Sequence, residues 1–191
     1  MSWEPYLSSG DSALLRKALG GRSGESCLEI GAGNGGNLVF LAGKFGLAVG
    51  TDLVRPRMAD WKGAGADFVL ADRASCMRDG SFDLVAFNPP YLAGDSDDGA
   101  VDGGKSLDAP KGFLSEAIRV VKKEGEVVFL LNDEAEVEEF REIAAKGGFA
   151  LKLLASERMF FEELSVFSAT SGEAERPSRP LKGASRGDVH R

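Results

Sequence analysis

The chain contains 191 residues, of which 43% are hydrophobic, and has a formal net charge of −7 at neutral pH. This length suits one domain with a sizeable core, and no run approaches the roughly 20 apolar residues that a membrane helix needs. Residues 171–191 hold five basic and three acidic side chains, which leaves residues 1–170 with a net charge of −9. An acidic body is poorly suited to binding a nucleic-acid backbone through many contacts. Because no signal segment is recognisable at the N-terminus, we expect a cytoplasmic protein.

The histidine and cysteine content restricts the chemistry further. The only histidine, His190, lies next to the C-terminus, and Cys27 and Cys76 do not have the spacing of metal ligands. A Ser–His or Cys–His nucleophile and a histidine-ligated metal are therefore excluded as the main mechanism, and we expect no metal site. Any reaction must depend on amides, carboxylates, backbone groups or a cofactor.

Strand and helix patterns alternate along the chain. The predicted elements, in order, are a helix over 11–19, a strand over 26–30, a helix over 35–45, a strand over 47–52, a short helix over 55–61, strands over 67–72 and 81–87, a helix over 109–123, a strand over 126–131, a helix over 134–146 and closing antiparallel strands over 149–159 and 160–169. Such alternation with apolar strands predicts an α/β fold, a mostly parallel sheet with helices on both faces.

Two segments fall outside this pattern. Residues 171–191 are rich in glycine, proline, serine and charge, so we predict a disordered tail after a single domain over 1–170. The polar loop over 93–110 has a length that is usually functional. Ligands of parallel sheets bind beyond the carboxyl ends of the strands, so those ends are where a site is expected.

The segment LEIGAGNGGN, residues 28–37, joins the first predicted strand to a helix. It fits the dinucleotide fingerprint G-x-G-x-x-G, and it equally fits an acid followed by alternate glycines, beginning at Glu29 and continuing through Gly31 and Gly33. Glycines permit tight turning and close approach to a ligand, so a ligand loop is favoured over a simple turn. A dinucleotide would place its pyrophosphate at the helix N-terminus, whereas the cationic amino group of S-adenosylmethionine would favour a carboxylate such as Glu29.

Acidic residues end the next two predicted strands. Asp52 suits the ribose hydroxyls of either ligand, and the alternative is a solvent-facing cap of the segment that begins at Arg55. Asp72 is placed to accept a hydrogen bond from an adenine amino group, and a helix cap is the alternative.

The segment FNPPY, residues 87–91, follows an apolar strand. Pro89 has no N–H to give to a sheet ladder, so the strand must stop at Asn88, at the edge where the ligand cleft is expected. The Asn88 side chain and the proline carbonyls form a rigid set of acceptors beside Tyr91. Such acceptors suit a planar NH2 group, because they orient its lone pair towards an electrophile and stabilise the positive charge that develops. A strand-ending turn is the alternative, since Asn-Pro often opens turns.

In this order, EIGAGNG, Asp52, Asp72 and NPPY resemble the class I S-adenosylmethionine-dependent methyltransferases that act on amino groups. The resemblance extends from about Tyr6 to Ala169 and implies a seven-stranded Rossmann-like sheet with an antiparallel last strand. The resemblance implies that Glu29, Gly31 and Gly33 line the methionine end of S-adenosyl-L-methionine. It also implies that Asp52 binds the ribose and Asp72 the adenine, with Asn88 beside the cofactor. The implied catalytic residues are Asn88 and Pro89, which hold the target nitrogen, and Tyr91, which packs on the planar group that carries this nitrogen.

The NPPY motif is found in two substrate classes of this family. Adenine-N6 methyltransferases apply it to an exocyclic amine, and HemK-type enzymes apply it to the glutamine amide in the GGQ motif of peptide release factors. DGGK at 102–105 and RMFFEELSVF at 158–167 resemble the short archaeal and eukaryotic HemK-type enzymes. The resemblance therefore implies a protein-glutamine N-methyltransferase acting on a release factor.

Three alternatives stay open. An adenine-N6 methyltransferase acting on RNA or DNA would be favoured by a basic patch, for which the candidates are Arg55, Arg57, Arg73 and Arg78. A catalytically silent S-adenosylmethionine-binding adaptor and a nicotinamide dehydrogenase both leave NPPY without a role.

The resemblance also implies a partner. The short HemK-type enzymes work with a small zinc-binding activator protein at the edge of the sheet, and the corresponding edge here is the third strand, with Phe68, Val69 and Leu70. An exposed apolar edge strand is suited to being covered by strand addition from a partner.

Overall fold

A computed structural model describes residues 10–54, 63–90, 108–133, 135–159 and 162–172. The strands of this part of the chain are β1 (Gly24–Ile30), β2 (Phe45–Asp52), β3 (Ala66–Leu70), β4 (Phe82–Phe87), β5 (Val121–Asn132), β6 (Phe149–Met159) and β7 (Glu162–Ser171). Its helices are α1 (Gly10–Leu19), α2 (Gly36–Ala42), α3 (Asp108–Val120) and α4 (Val137–Lys146). None of these helices has the length and apolar character that crossing a membrane requires.

The strands form one seven-stranded sheet in the order β3-β2-β1-β4-β5-β7-β6. Neighbouring strands from β3 to β5 are parallel, and β7 is antiparallel to both β5 and β6. The predicted α/β fold, a Rossmann-like sheet with an antiparallel last strand, is therefore confirmed. The chain builds outward from β1 to β3 and then returns to place β4 on the other side of β1, so the switch point lies between β1 and β4.

Two apolar clusters cover the two faces of the sheet. Side chains alternate along each strand, so Val128 and Leu130 of β5 point to one face and Phe129 and Leu131 to the other. The first face, called the α1 face below, packs against the leucines of α1 and α2. The second packs against α3 and α4, mainly through Leu114, Ala117, Phe140 and Ala144.

Helix α2 is shorter than predicted. It ends at Ala42, and Gly43 caps it by donating its backbone N–H to Leu41. Phe45, which the periodicity placed on the helix, is instead the first residue of β2. Its ring is nevertheless buried in the same cluster as Leu38 and Leu41, which explains why it fitted the helical pattern.

The boundary between α3 and β5 also differs from the prediction. The helix stops at Val120 and β5 begins at Val121, which pairs with Phe82. Lys122 lies on the strand, and its Nζ lies 2.6 Å from the Asp83 carboxylate of β4. The register between the strands shifts here, and a Cβ on Gly125 would lie 2.7 Å from the Asp83 carbonyl oxygen, so only glycine fits. This pairing between distant segments has no local sequence signal.

The other described elements lie within three residues of the predicted boundaries. The predicted helix over 55–61, most of the predicted loop over 93–110 and the predicted tail beyond Gly172 lie outside the described residues. Ser171, predicted to be the first residue of the tail, is the last residue of β7.

Candidate functional site

The carboxyl ends of β1, β2 and β4 meet at the switch point of the sheet. Glu29 pairs with Gly50 of β2 and with Ala86 of β4, so it lies between both neighbouring strands. Asp52 is the last residue of β2, and Asn88 directly follows β4. The structure therefore brings these three predicted site residues to one edge of the sheet.

The glycine loop between β1 and α2 turns sharply through left-handed backbone. Gly31, Gly33 and Gly35 have φ angles of +72°, +53° and +81°, a region that side chains disfavour. The Gly31 N–H donates to the Thr51 carbonyl at 2.8 Å, which fixes the loop to the end of β2. A Cβ on Gly33 would meet nothing within 4 Å among the described residues, so the protein that the structure describes leaves the space beside Gly33 open to a ligand.

Asp52 joins the glycine loop to β2. Its Oδ2 accepts the Gly33 N–H at 2.9 Å, and its Oδ1 accepts the Val54 N–H at 3.0 Å. The carboxylate therefore caps its own strand end and also orients the loop. Each oxygen of a carboxylate has a further lone pair, so Asp52 is able to accept ribose hydroxyls as well.

Glu29 is a buried acid at the end of β1. Its side chain is 3% exposed, and among the described residues its Oε2 has no hydrogen-bond partner. Burial raises the pKa of Glu29 to about 8, against the opposing hydrogen bonds from the Asn37 side chain and the Leu38 N–H and the charge of Arg16. A carboxyl group in this state is mostly protonated at neutral pH unless a cation binds beside it. The unpartnered oxygen thus suits a cationic amino group.

Asn88 is held in one orientation by a residue from the start of the chain. Its Nδ2 donates to Oδ2 of Asp11 at 2.9 Å, and Asp11 is only 4% exposed in the first turn of α1. Because a carboxylate only accepts hydrogen bonds, the NH2 of Asn88 must face Asp11. The Asn88 Oδ1 is then left as a buried acceptor with no partner in the described residues. The adjacent Pro89 is buried and has no N–H to offer.

Two functional candidates were not identified from the sequence. Asp11 was treated only as a helix start, because nothing local shows that a carboxylate 77 residues from Asn88 contacts it. Asn132 ends β5, is 3% exposed, and has neither amide atom paired within the described residues. The signal for Asn132 was available, since an asparagine ends the apolar run VVFLLN much as Asn88 ends LVAFN.

The two other predicted site residues are not brought into this cluster. Asp72 lies two residues beyond the end of β3, its side chain is 61% exposed, and an oxygen lies 3.9 Å from Nη1 of Arg73. It therefore occupies the rim of the site, where its contact with adenine remains a prediction. Tyr91 lies outside the described residues. Within the part of the chain that the structure describes, no group of three or more potential metal ligands occurs.

Comparison with known proteins gives one related sequence and many similar folds. The chain is 30% identical to a protein of Methanocaldococcus jannaschii whose name places it among the protein N5-glutamine methyltransferases, with 87% of this chain and 91% of that protein covered. The structure of the E. cuniculi Mtq2–Trm112 complex, described as responsible for methylation of the eRF1 translation termination factor, superimposes with a TM-score of 0.72. The two chains are 23% identical over 87% of this chain and 98% of that one.

The T. thermophilus 16S rRNA N2 G1207 methyltransferase, solved with S-adenosylmethionine and guanosine, superimposes with a TM-score of 0.60 at 19% identity, covering 94% of this chain and 42% of that one. These two structural likenesses establish the fold. No family model matches the chain.

Proposed function

The chain belongs to the protein N5-glutamine methyltransferase family of class I S-adenosylmethionine-dependent enzymes, and from this premise we propose that it methylates the glutamine amide in the GGQ motif of a peptide chain release factor. The proposal rests mainly on Asn88, whose buried Oδ1 has no partner among the described residues while its Nδ2 is fixed by Asp11. A fixed, buried acceptor with no partner among the described residues suits a substrate NH2 group.

The residues at the carboxyl edge fit S-adenosyl-L-methionine as the cofactor of this enzyme. The unpartnered Oε2 of Glu29 would bind the amino group, the open glycine loop would admit the methionine portion, and Asp52 would accept the ribose hydroxyls. When bound, S-adenosyl-L-methionine supplies a methyl group made electrophilic by its positively charged sulfur.

Asn88 and Pro89 would act on the target nitrogen through position and charge. The Asn88 Oδ1 and the Pro89 carbonyl accept the two hydrogens of the NH2 group, which turns the nitrogen lone pair towards the methyl group. Methyl transfer would break the S–CH3 bond, with the sulfur leaving as a neutral thioether, and would make the nitrogen positive, a charge that the two carbonyl dipoles would stabilise. The nitrogen then loses one of its protons to water, since an alkylated amide nitrogen is strongly acidic. No histidine is required at any point.

The acidic charge of the chain supports a protein acceptor over a nucleic acid. Residues 1–170 have a net charge of −9, which opposes binding to a phosphate backbone. Arg73, one of the candidates for a basic patch, is beside Asp72 and over the Phe113 ring at 5.9 Å. A release factor is a cytoplasmic protein, so the proposal places the reaction in the cytoplasm.

The proposal is tested by methyl transfer from labelled S-adenosyl-L-methionine. The acceptors are an archaeal-type release factor with its GGQ motif, the same factor with that glutamine changed to glutamate, and a mixed tRNA and rRNA pool. We expect label only on the GGQ factor. Label on RNA alone would replace the substrate with an adenine, and label retained by the glutamate variant would exclude the GGQ glutamine as the target.

We also propose that the edge of the sheet at β3 binds a small activator subunit of the zinc-binding kind, as Trm112 accompanies Mtq2 in the E. cuniculi complex. Strand β3 is an edge strand, and large apolar side chains are exposed on or beside it: Leu47, Leu53, Val54, Val69 and Leu70. Phe68, also predicted to belong to this surface, is instead partly buried against the α1-face cluster.

A substitution on each edge of the sheet tests the activator surface. Leu70→Lys, at a residue that is 64% exposed, should abolish copurification with a coexpressed Trm112-like protein. Leu153→Lys is the matched control, because Leu153 is 51% exposed on β6 at the opposite edge. Equal retention of the activator by both variants would exclude β3 as the docking edge.

A further inference from the structure

Asn132 is an amide with no partner in the protein. It is 3% exposed at the end of β5, and both its Oδ1 and its Nδ2 lack a hydrogen bond within the described part of the chain. Burying an unsatisfied polar group costs on the order of 1–3 kcal/mol per group, so this arrangement opposes folding. Among the residues that the structure describes, no other side chain has two buried, unpaired polar atoms. Such a side chain is explained if a ligand completes its hydrogen bonds.

The strand register places Asn132 near Asn88 on the same face of the sheet. Phe87 of β4 pairs with Phe129 of β5, so Asn88 is level with Leu130 and Asn132 lies two residues further along. Asn132 is directly opposite Leu164 of β7, which belongs to the α1-face cluster. Neighbouring strands are about 4.8 Å apart and the chain rises about 3.3 Å per residue, so the Cα atoms of the two asparagines are roughly 8 Å apart.

This Cα separation leaves room for one carboxamide between two side chains that project from the same face of the sheet. The N and O atoms of an amide are about 2.2 Å apart, and two hydrogen bonds of about 2.9 Å bring the span to roughly 8 Å. The Asn88 Oδ1 and the proline carbonyls are acceptors towards the substrate, and one of the two hydrogens on the Asn88 Nδ2 is bonded to Asp11. When these acceptors hold the substrate nitrogen, the amide oxygen of a bound glutamine needs a donor from the neighbouring strand.

We propose that Asn132 supplies the missing donor: its Nδ2 binds the carbonyl oxygen of the same carboxamide whose nitrogen Asn88 holds. This inference rests on the proposed function and makes Asn132 a substrate-binding residue that selects a carboxamide over an amine. Asn132 is buried and Asn88 is partly buried at the same edge of the sheet.

The chemistry predicts which kinetic constant Asn132 controls. A hydrogen bond to an amide oxygen draws electron density away from the nitrogen, so it cannot speed the attack on the methyl group. It stabilises the bound substrate in the correct orientation. Loss of this bond should therefore raise KM for the release factor, with little change in kcat.

The experiment compares the full-length enzyme with Asn132→Leu, Asn132→Ala and Ser168→Ala, with the activator present in every reaction. Leucine has the same number of side-chain heavy atoms as asparagine, and alanine removes the amide without adding bulk. Ser168 is the control, since it is 4% exposed on β7 but bonded to Glu126 at the opposite end of the sheet. The measurements are KM and kcat for the GGQ release factor, the Kd of S-adenosyl-L-methionine, and Tm of the free enzyme.

We expect both Asn132 variants to raise KM on the order of 10-fold. The expected kcat and cofactor Kd stay within about twofold of wild type, because the bond to the amide oxygen serves neither the attack nor the cofactor. Tm of Asn132→Leu should rise, because an unsatisfied buried amide is removed, whereas Ser168→Ala should lower Tm and leave KM unchanged.

An unchanged KM in active Asn132 variants overturns this inference but not the proposed function. A lower Tm with weakened cofactor binding in both variants gives Asn132 a structural role and also overturns it. A wild-type enzyme that does not methylate the GGQ glutamine overturns the proposed function and this inference together.

Discussion

Polar groups that are buried or partly buried are paired at one end of the sheet and left unpaired at the other. At the amino end, Arg22 donates to both oxygens of Glu126 at 2.7 and 2.6 Å, and Ser168 donates to the same carboxylate. At the carboxyl end, Glu29 and Asn88 each have an unpaired buried oxygen within the described residues, and Asn132 has neither amide atom paired there.

This contrast separates polar groups that stabilise the fold from those that a ligand must satisfy. Paired groups contribute about 1 kcal/mol per hydrogen bond, whereas unpaired buried groups reduce stability until a partner arrives. Both ends belong to the same strands, so the type of strand does not explain why polar groups are paired at one end and unpaired at the other. It indicates that the carboxyl end is adapted to binding and the amino end to stability.

The largest expected effect follows from removing the acceptor of Asn88. Asn88→Ala should lower kcat on the order of 10²-fold or more, by analogy with the loss of one donor from an oxyanion hole. The Kd of S-adenosyl-L-methionine should change little, because Asn88 acts on the acceptor nitrogen. Single-turnover methyl transfer with the GGQ release factor and calorimetric cofactor binding measure the two quantities.

Asn88→Asp is the informative companion variant. It keeps the shape of the side chain but brings a second carboxyl group to the Asp11 carboxylate, so the fixed orientation that the amide had is lost. Full activity in Asn88→Ala would contradict the mechanism, and full activity in Asn88→Asp alone would exclude the orienting role of Asp11.

Glu29 gives the second largest effect, a pH dependence of cofactor binding. Its pKa of about 8 means that the carboxyl must lose a proton before it pairs with a cationic amino group. Affinity for S-adenosyl-L-methionine should therefore rise by up to about tenfold per pH unit below 8, and it should stop rising once Glu29 is ionised and the amino group of the cofactor begins to lose its own proton. Titration calorimetry between pH 6 and 9 should show this slope in the wild type and its absence in Glu29→Gln.

The raised pKa of Glu29 makes the free enzyme less stable as pH rises, whereas it makes cofactor binding stronger. The folded state retains a proton on Glu29 that the unfolded state releases above its ordinary pKa of 4.5, so the contribution of this residue to stability falls as pH rises from there towards 8. Glu29→Gln should remove this decline in urea unfolding curves. A wild-type stability that rises through this range, with an unaltered slope in Glu29→Gln, would contradict the raised pKa.

The sequence was sufficient to predict which polar residues meet at the carboxyl edge of the sheet, and their roles towards a ligand stay predictions. Glu29, Asp52 and Asn88 each lie at or within one residue of the end of an apolar run, and in a parallel sheet all such ends lie on one edge. The glycines of the loop were predictable for a similar reason, since only a turn through left-handed backbone requires glycine at Gly31 and Gly33.

The rest of the site depends on contacts between segments that are far apart in the chain. The orientation of Asn88 comes from Asp11, and the unusual state of Asn132 becomes evident only when burial and missing partners are known. The start of β5 was misplaced for the same reason, because the strand begins where Val121 pairs with Phe82 of β4, 39 positions earlier in the chain. Helical periodicity describes one segment at a time, so it predicted the two apolar faces but not these pairings.

A smaller effect is expected at Asp52, which accepts a hydrogen bond from the glycine loop and is proposed to bind the ribose. Asp52→Ala loses the bond to the Gly33 N–H as well as the acceptors for hydroxyls, so cofactor Kd should rise on the order of 10-fold. The kcat at saturating cofactor should change by less than the Kd. Asp72→Ala is the matched comparison, because its carboxylate is 61% exposed at the rim, and its effect on Kd should be smaller. A larger effect at Asp72 would move the main cofactor contact to the rim.

The smallest effect is predicted at the amino end of the sheet, where a substitution should change stability and leave ligand binding unchanged. Arg22→Ala removes both hydrogen bonds to Glu126 and should lower the free energy of unfolding by about 1 kcal/mol. Solvent screens these bonds only in part, because the two side chains are 22% and 23% exposed. Arg141→Ala is the control, since its 3.6 Å contact with Glu138 is exposed and such pairs contribute little. Neither variant should change KM or the cofactor Kd, because the paired end does not contact ligands. If Arg22→Ala weakened cofactor binding without lowering stability, the division of the sheet into a stabilising end and a binding end would be wrong.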